Sequence, residues 1–448
     1  MNKHNRWLRA QLPGWVERGV ISPAQADTLR GLYPEPKAAL PWGMILFFGV
    51  GAVVIGLGII LLFAYNWHAI PKFGKLGVIF GSLIVAHAAG LRLFRLDDWR
   101  RQLGEALTVV GTMLFGAGIW LVAQVYHIEE HYPDGFFYWG LGALALAWVM
   151  PSVAQGLVAV VVLSIWGCSE TYAFSTPIHW APVLLAVGAG GLAWQQRSRV
   201  LLVVTLAGFY LVLLSNCGLR HGNLALPVAL NVSVLLVALA GFVRRTPRFP
   251  ESASVLDFFG WGGFLVVVYV LSFGSQAADD LSWPARLAED KLRGWLVFYG
   301  WLPFVLALAA WAVVARDTWR AKLPLGQSAA ERWLLPLVAV LAQVLAFAMP
   351  SVRDAELFGS WSVAGIFNLV LLAVAAAWMA EGSRTGELKP TVQGSLLLVV
   401  LVLARYFDLF ESLAARGMVF LAVGGVLFAE GFFYRKARLR AAEQEAQP

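Results

Sequence analysis

The sequence predicts an all-α polytopic membrane protein, a bundle of about fourteen transmembrane helices behind a short N-terminal cytosolic helical hairpin. Composition is the first observation, since 59% of the 448 residues are hydrophobic and 14% are charged, against roughly 25% charged in a soluble domain. The second is that apolar runs of about 17 to 24 residues, the length a bilayer requires, alternate with short polar loops from Trp42 onward. The third is charge placement. The net charge of +7 does not indicate nucleic acid, because the basic residues lie in short loops, as orienting charges do.

Residues 1–40 are polar and predict two short helices. The first ends at Gly19, which suits a left-handed cap. The second begins at Ser22, where Pro23 fits the first helical position and Gln25 completes a capping box, and it ends near Tyr33. Two interpretations stay open: a hairpin that packs on itself or on the membrane domain, and a docking module for a protein partner.

The rest of the chain divides by its apolar runs into a four-span unit (41–150), a remaining membrane bundle (151–434) and a basic tail (435–448). Only Pro151 and Ser152 separate the fourth and fifth spans, which are therefore either a tight hairpin or one broken helix. With an even number of spans, most of the 34 Lys and Arg residues lie on the side of the amino terminus. The positive-inside rule then predicts that both termini are cytoplasmic. Cys168 and Cys217 are either a disulfide or two unrelated thiols.

Several segments resemble a bacterial membrane-protein family, domain of unknown function 2157. They are the leader sequence GVISPAQA (19–26), the span end YNWHAIP (65–71), GAGI (116–119), QVYH (124–127) and the Asp134-Gly135 pair. The resemblance covers about the first 150 residues and implies an integral protein of the bacterial inner membrane, with no activity and no catalytic residues to carry over. Further on, ARYFDLF (404–410) resembles a motif of related uncharacterised polytopic families.

A polar cluster follows the third predicted span and supplies the candidate substrate or ion residues Gln124, Tyr126, His127 and Asp134. The letters from His127 to His131 fit the H-x-x-E-H spelling of a metalloprotease class. Two other interpretations are a solvated acidic loop and a cavity mouth that handles protons or a cation, which suits histidine. The motif lacks an obvious third ligand, so we predict no metal, no cofactor and no enzymatic activity.

Arg405 and Asp408 are the other candidate residues. They stand three apart near the outer end of the thirteenth predicted span and therefore share a helix face. A charge at membrane depth is usually paired or lines a wet cavity, so the two are either a structural pair or a substrate contact. The mid-span amides Asn231, Gln343 and Asn368 are expected to hydrogen-bond between helices.

Three hypotheses of function follow. The first is a secondary transporter or flippase of a small or lipid-linked substrate, favoured by the many spans, the glycine-rich helices and the sparse intramembrane charge. The second is a non-catalytic scaffold or envelope-stress sensor that acts through residues 1–40. The third is a membrane-embedded enzyme that uses the outer His/Glu cluster. We expect the protein to lie in the lipid bilayer and to bind no nucleic acid. Under the second hypothesis a protein partner binds the leader.

Overall fold

The protein is all-helical over the residues that its structure, a computed structural model, describes. These are residues 3–32, 71–96, 99–127, 131–218, 225–244, 248–273, 301–313, 360–405 and 421–431, with a few single residues between them. The helices are α1 (Lys3–Glu17), α2 (Pro23–Leu32), α3 (Lys72–Phe94), α4 (Trp99–Tyr126), α5 (Pro133–Val149), α6 (Val153–Phe174), α7 (Ala181–Leu184), a π-helical turn (Leu185–Ala189), α8 (Gly190–Gln196), α9 (Arg199–Gly218), α10 (Ala225–Val243), α11 (Ser252–Leu271), α12 (Trp301–Val313), α13 (Ser360–Thr385), α14 (Leu388–Arg405) and α15 (Leu421–Gly431).

Eight of the described helices are long and apolar enough to cross a membrane. Their surfaces suit lipid, because large apolar side chains lie outside as well as inside. On α11, for example, Phe264 is fully buried while Phe258 is 74% exposed. Helices that are apolar on every face belong in a bilayer or a large core. The all-α membrane fold class is therefore confirmed, and the count of about fourteen spans stays a prediction.

The chain divides into two compact units, residues 1–127 and 128–448. In the first unit the predicted capping box is formed: the Gln25 backbone N–H donates to Ser22 Oγ (3.2 Å), and the Ser22 N–H donates to Gln25 Oε1 (2.9 Å). Gly19 has a φ of +71°, as its predicted role as a helix cap requires. Helices α1 and α2 follow from these local signals.

Helices α3 and α4 pack closely against each other in the first unit. An ideal Cβ on Gly104 would lie 2.6 Å from the carbonyl oxygen of Gly90, so the two backbones meet where only glycine fits. The glycines Gly111, Gly116 and Gly118 of α4 are buried as well. Small residues permit such close approach in membrane helices.

In the second unit, α5 and α6 are two helices joined by a tight turn, which decides between the two interpretations of residues 135–172 in favour of a hairpin. Ser152 is the N-cap of α6 and accepts a hydrogen bond from the Gln155 N–H (3.2 Å). The first residues of α5 therefore lie beside the last residues of α6, and this pairing positions the cluster that follows.

The core of the second unit surrounds α10, most of whose residues are buried. One buried cluster joins α5–α10 to the start of α11, and another joins α10 and α11 to α12–α14. One polar contact inside this core joins two helices: the hydroxyls of Tyr210 and Ser233 lie 3.0 Å apart. Cys168 and Cys217 are both free thiols, in agreement with the interpretation of two unrelated cysteines.

Candidate functional site

The predicted polar cluster begins at the end of α4, in the first unit. Gln124 and Tyr126 lie exposed on its last turn, and His127 follows with a φ of +53°, where the helix stops. Glu129 and Glu130 lie outside the described residues. The H-x-x-E-H letters therefore fall between α4 and α5, with neither histidine on a helix, so the single helical face that the metalloprotease motif needs is missing.

In the second unit, His131 and Asp134 meet a residue that the sequence analysis did not single out, Glu170. His131 Nε2 lies 2.7 Å from Glu170 Oε2, and Asp134 stands in the first turn of α5. The ligand atoms of the three side chains all lie within 4.8 Å of one another. The α5–α6 hairpin creates this cluster, because it brings the start of one helix to the end of the other.

Glu170 is held rigidly at the end of α6, where it is 3% exposed. Ser175, with a φ of +55°, turns the chain back over the helix end. Thr176 then donates its hydroxyl to Glu170 Oε2 (2.9 Å) and its backbone N–H to the Glu170 carbonyl oxygen (3.0 Å). A buried carboxylate is costly unless it is hydrogen-bonded, and the Thr176 hydroxyl orients the oxygen that faces His131.

A second set of bonds fixes the segment that carries Thr176. Asn216 of α9 is buried, donates to the carbonyl oxygen of Ile178 (2.8 Å) and accepts from the Thr171 hydroxyl (2.7 Å). The His131 ring packs edge-on against Phe174, with centroids 4.0 Å apart. The carboxylate and the imidazole are therefore both braced by neighbouring helices.

Arg405 forms a separate buried polar site at the end of α14, where it is 6% exposed. Its Nε donates to Asn368 Oδ1 (2.8 Å), its Nη2 donates to Ser272 Oγ, and its guanidinium lies over the Phe273 ring, 4.0 Å from the centroid. Asp408, its predicted partner, lies outside the described residues. The contacts that the structure describes show Arg405 joining α13 and α14 to the residues that follow α11.

Asn368 behaves as predicted for a mid-span amide. Its Nδ2 donates to the backbone carbonyl of Ser272 (3.0 Å) and to that of Ala364 on its own helix (2.8 Å), while its Oδ1 accepts from Arg405. The side chain thus bonds to the segment after α11 and to α14 at once.

A cavity of about 760 Å³ lies along α13, α14 and α15. Its wall is mainly apolar, and one end is polar. There Ser383 donates its hydroxyl to Glu430 Oε1 (2.6 Å), and Arg384 joins the lining. The lining residues are Leu372, Ala375, Ala376, Met379, Ala380, Ser383, Arg384, Leu398, Ala422, Val423, Val426, Glu430 and Phe433.

Residues 13–156 match a family described as "Predicted membrane protein (DUF2157)", which confirms the resemblance drawn from residues 19–26, 65–71, 116–119, 124–127 and 134–135. The matched segment contains His131 and Asp134 and ends before Glu170. No curated protein and no solved structure matches the chain.

Proposed function

We propose that the protein is a flippase-type transporter of a lipid-linked substrate with a phosphate-bearing head group. The observation that carries this proposal is the cavity along α13–α15, which combines an apolar wall with a polar end. Its volume falls within the roughly 300–1,000 Å³ of typical ligand pockets. An amphipathic molecule needs this combination, since its chains leave water while its head group keeps polar partners.

The second support is the placement of polar groups at the two ends of one helix. Helix α14 has 18 residues and is therefore about 27 Å long, close to the roughly 30 Å of a hydrocarbon core. The Ser383–Glu430 pair lies near the start of α14, because Ser383 is in the last turn of α13, and Arg405 is the last residue of α14. A head group that crosses along α14 leaves one polar site and reaches another.

The charges suit a phosphate. Arg384 is exposed at the polar end of the cavity, and Arg405 lies at the other end of α14. Guanidinium groups bind phosphate through two parallel hydrogen bonds. The proposal includes the predicted orientation, in which both termini are cytoplasmic in a bacterial inner membrane. The cavity then opens near the cytoplasmic side and Arg405 lies near the outer side.

The test is lipid movement in proteoliposomes. Purified protein is reconstituted with a trace of acyl-labelled fluorescent phosphatidylglycerol, and dithionite bleaches the label in the outer leaflet. We expect the label of the inner leaflet to be bleached faster in vesicles that contain the wild-type protein than in protein-free vesicles, because the protein moves labelled lipid to the outer leaflet. The variant Ala376→Trp, which fills the cavity, is expected to slow this movement several-fold.

Ala373→Trp is the matched control. Ala373 lies on the same helix, is exposed and stands outside the cavity lining, so this variant is expected to keep the wild-type rate. Arg384→Gln is expected to slow the movement of phosphatidylglycerol between leaflets without changing the folded state. Equal rates for Ala376→Trp and Ala373→Trp, or no movement above protein-free vesicles, would refute the proposal.

A further inference from the structure

We propose that His131, Asp134 and Glu170 form a binding site for a divalent transition-metal ion of the zinc class, at the end of the α5–α6 hairpin. The proposal stands apart from lipid transport, because these residues belong to other helices than those that line the cavity. One imidazole nitrogen and two carboxylate oxygens are a ligand set that Zn²⁺ accepts. Calcium and magnesium instead favour oxygen-only sets with more ligands.

The distances are close to those of a bound ion. Zn²⁺ lies about 2.0–2.2 Å from nitrogen and oxygen ligands, so two ligands of a tetrahedral ion are roughly 3.4 Å apart. The three ligand atoms lie within 4.8 Å of one another, and the His131 and Glu170 atoms are 2.7 Å apart. Binding requires these two atoms to separate by about 0.7 Å. His131 then binds the ion through Nε2 as a neutral imidazole, with its one remaining proton on Nδ1.

The site is built rather than a chance grouping of surface acids. Glu170 is 3% exposed, and its metal-facing oxygen already has the Thr176 hydroxyl as a partner. Metal ligands are characteristically oriented by such second bonds. His131, in the segment just before α5, reaches the same oxygen and is held against Phe174. Exposed Asp134 completes the set from the side of the solvent.

Three protein ligands leave a fourth position of the ion open. That is the arrangement of zinc sites that bind water or an exchangeable ligand, whereas purely structural sites use four protein ligands. The hydrogen bond between His131 and Glu170 is also compatible with a simple brace of the hairpin. A brace binds no metal, so direct measurement of binding separates the two roles.

The experiment uses the full chain in detergent, stripped of metal with EDTA and titrated with Zn²⁺ against a chromophoric chelator. We expect a single equivalent of Zn²⁺ to bind. Substitution by Co²⁺ is expected to give the intense visible absorption of a four-coordinate ion. Ca²⁺ and Mg²⁺ in excess are expected not to displace the bound Zn²⁺.

The variants locate the site. His131→Ala and Asp134→Asn are each expected to lower Zn²⁺ affinity at least tenfold, and Thr176→Ala is expected to lower it by about 10- to 100-fold, as loss of an orienting partner does. His127→Ala is the matched control, since His127 is exposed and stands outside the cluster. Asp134 is exposed, so its variant tests the site even where the buried positions fail to fold. The proposal is overturned when the wild type binds no Zn²⁺, or when Asp134→Asn binds it as tightly as His127→Ala does.

Discussion

Replacement of Gly394 by alanine is expected to destabilise the second unit, because α13 and α14 meet at this glycine. An ideal Cβ on Gly394 would lie 2.6 Å from the carbonyl oxygen of Ala375 and 2.9 Å from the backbone nitrogen of Met379. Both obstacles are backbone atoms of α13 and cannot rotate away. The two helices must therefore separate, which disturbs the pair on which both the cavity and Arg405 depend.

The magnitude follows from two opposing terms. A carbon atom approaches a carbonyl oxygen to about 3.3 Å, so the helices must move apart by roughly 0.7 Å. Overpacking of this kind costs about 1–3 kcal/mol, and a rigid obstacle places Gly394→Ala near the upper value. Alanine returns about 1 kcal/mol through its greater helix propensity. The net loss is about 2 kcal/mol, or a fall in melting temperature of about 4 °C.

The assay uses the protein's own cysteines. Cys217 is 2% exposed and Cys168 is half-buried, and both are free. A dye that fluoresces on reaction with thiols therefore reports unfolding in detergent during a temperature ramp. The matched control is Gly365→Ala on α13, where an added Cβ meets no atom within 4 Å. This control is expected to melt at or slightly above the wild-type temperature.

The reasoning fails if Gly394→Ala melts at or above the wild-type temperature. It also fails if Gly365→Ala loses as much stability as Gly394→Ala, because the loss would then belong to the glycine-to-alanine change itself. Opposite signs for the two variants are the expected result.

Three further predictions concern other contacts. Ser22→Ala removes half of the capping box and is expected to cost α2 about 1 kcal/mol, seen as faster amide hydrogen exchange in that helix alone. Gly104→Ala is expected to lower the melting temperature by pushing α3 from α4, while Gly77→Ala, which has open space, leaves it unchanged. Asn368→Leu removes an acceptor from the buried Arg405 guanidinium and is expected to cost about 1.5–3 kcal/mol, measured by the same thiol-dye melt.

Local rules correctly predicted the capping box at the start of α2, the left-handed cap at Gly19 and the helical character of the chain. The capping box needs only Ser22 and Gln25, three residues apart, and the structure forms both of its bonds. The left-handed conformation at Gly19 is equally local. Features of this kind are set by neighbours along the chain, so a single sequence suffices to find them.

The cluster around Glu170 shows what the sequence alone did not give. Glu170 lies inside a predicted span, 39 residues beyond His131, and its partners come from the turn at Thr176 and from another helix. One signal was present: a single carboxylate near the end of an apolar run, on the same predicted side of the membrane as the polar loop. Using that signal required the α5–α6 hairpin, which the sequence left open against one broken helix.

Arg405 illustrates the same limit. Helical spacing predicted a partner three residues away, Asp408, which lies outside the described residues, so that pairing stays a prediction. The partners that the structure describes are Asn368 and Ser272, 37 and 133 residues distant in sequence. A buried guanidinium needs several acceptors, and tertiary packing decides which ones reach it. Asn368 was identified as a helix-bridging amide, but the helices it bridges were not identifiable from its position.

The separation of the two proposed sites makes their roles distinguishable. The metal ligands lie at one end of the α5–α6 hairpin and the cavity lies along α13–α15, so Ala376→Trp is expected to leave Zn²⁺ affinity unchanged. If His131→Ala stops lipid movement as well as metal binding, the ion acts on the transport path and the two sites are coupled. If Ala376→Trp and Arg384→Gln both leave lipid movement unchanged while the protein still binds Zn²⁺, the result favours the scaffold or sensor hypothesis. Deletion of residues 1–40 then becomes the decisive variant, because that hypothesis places the function in the leader.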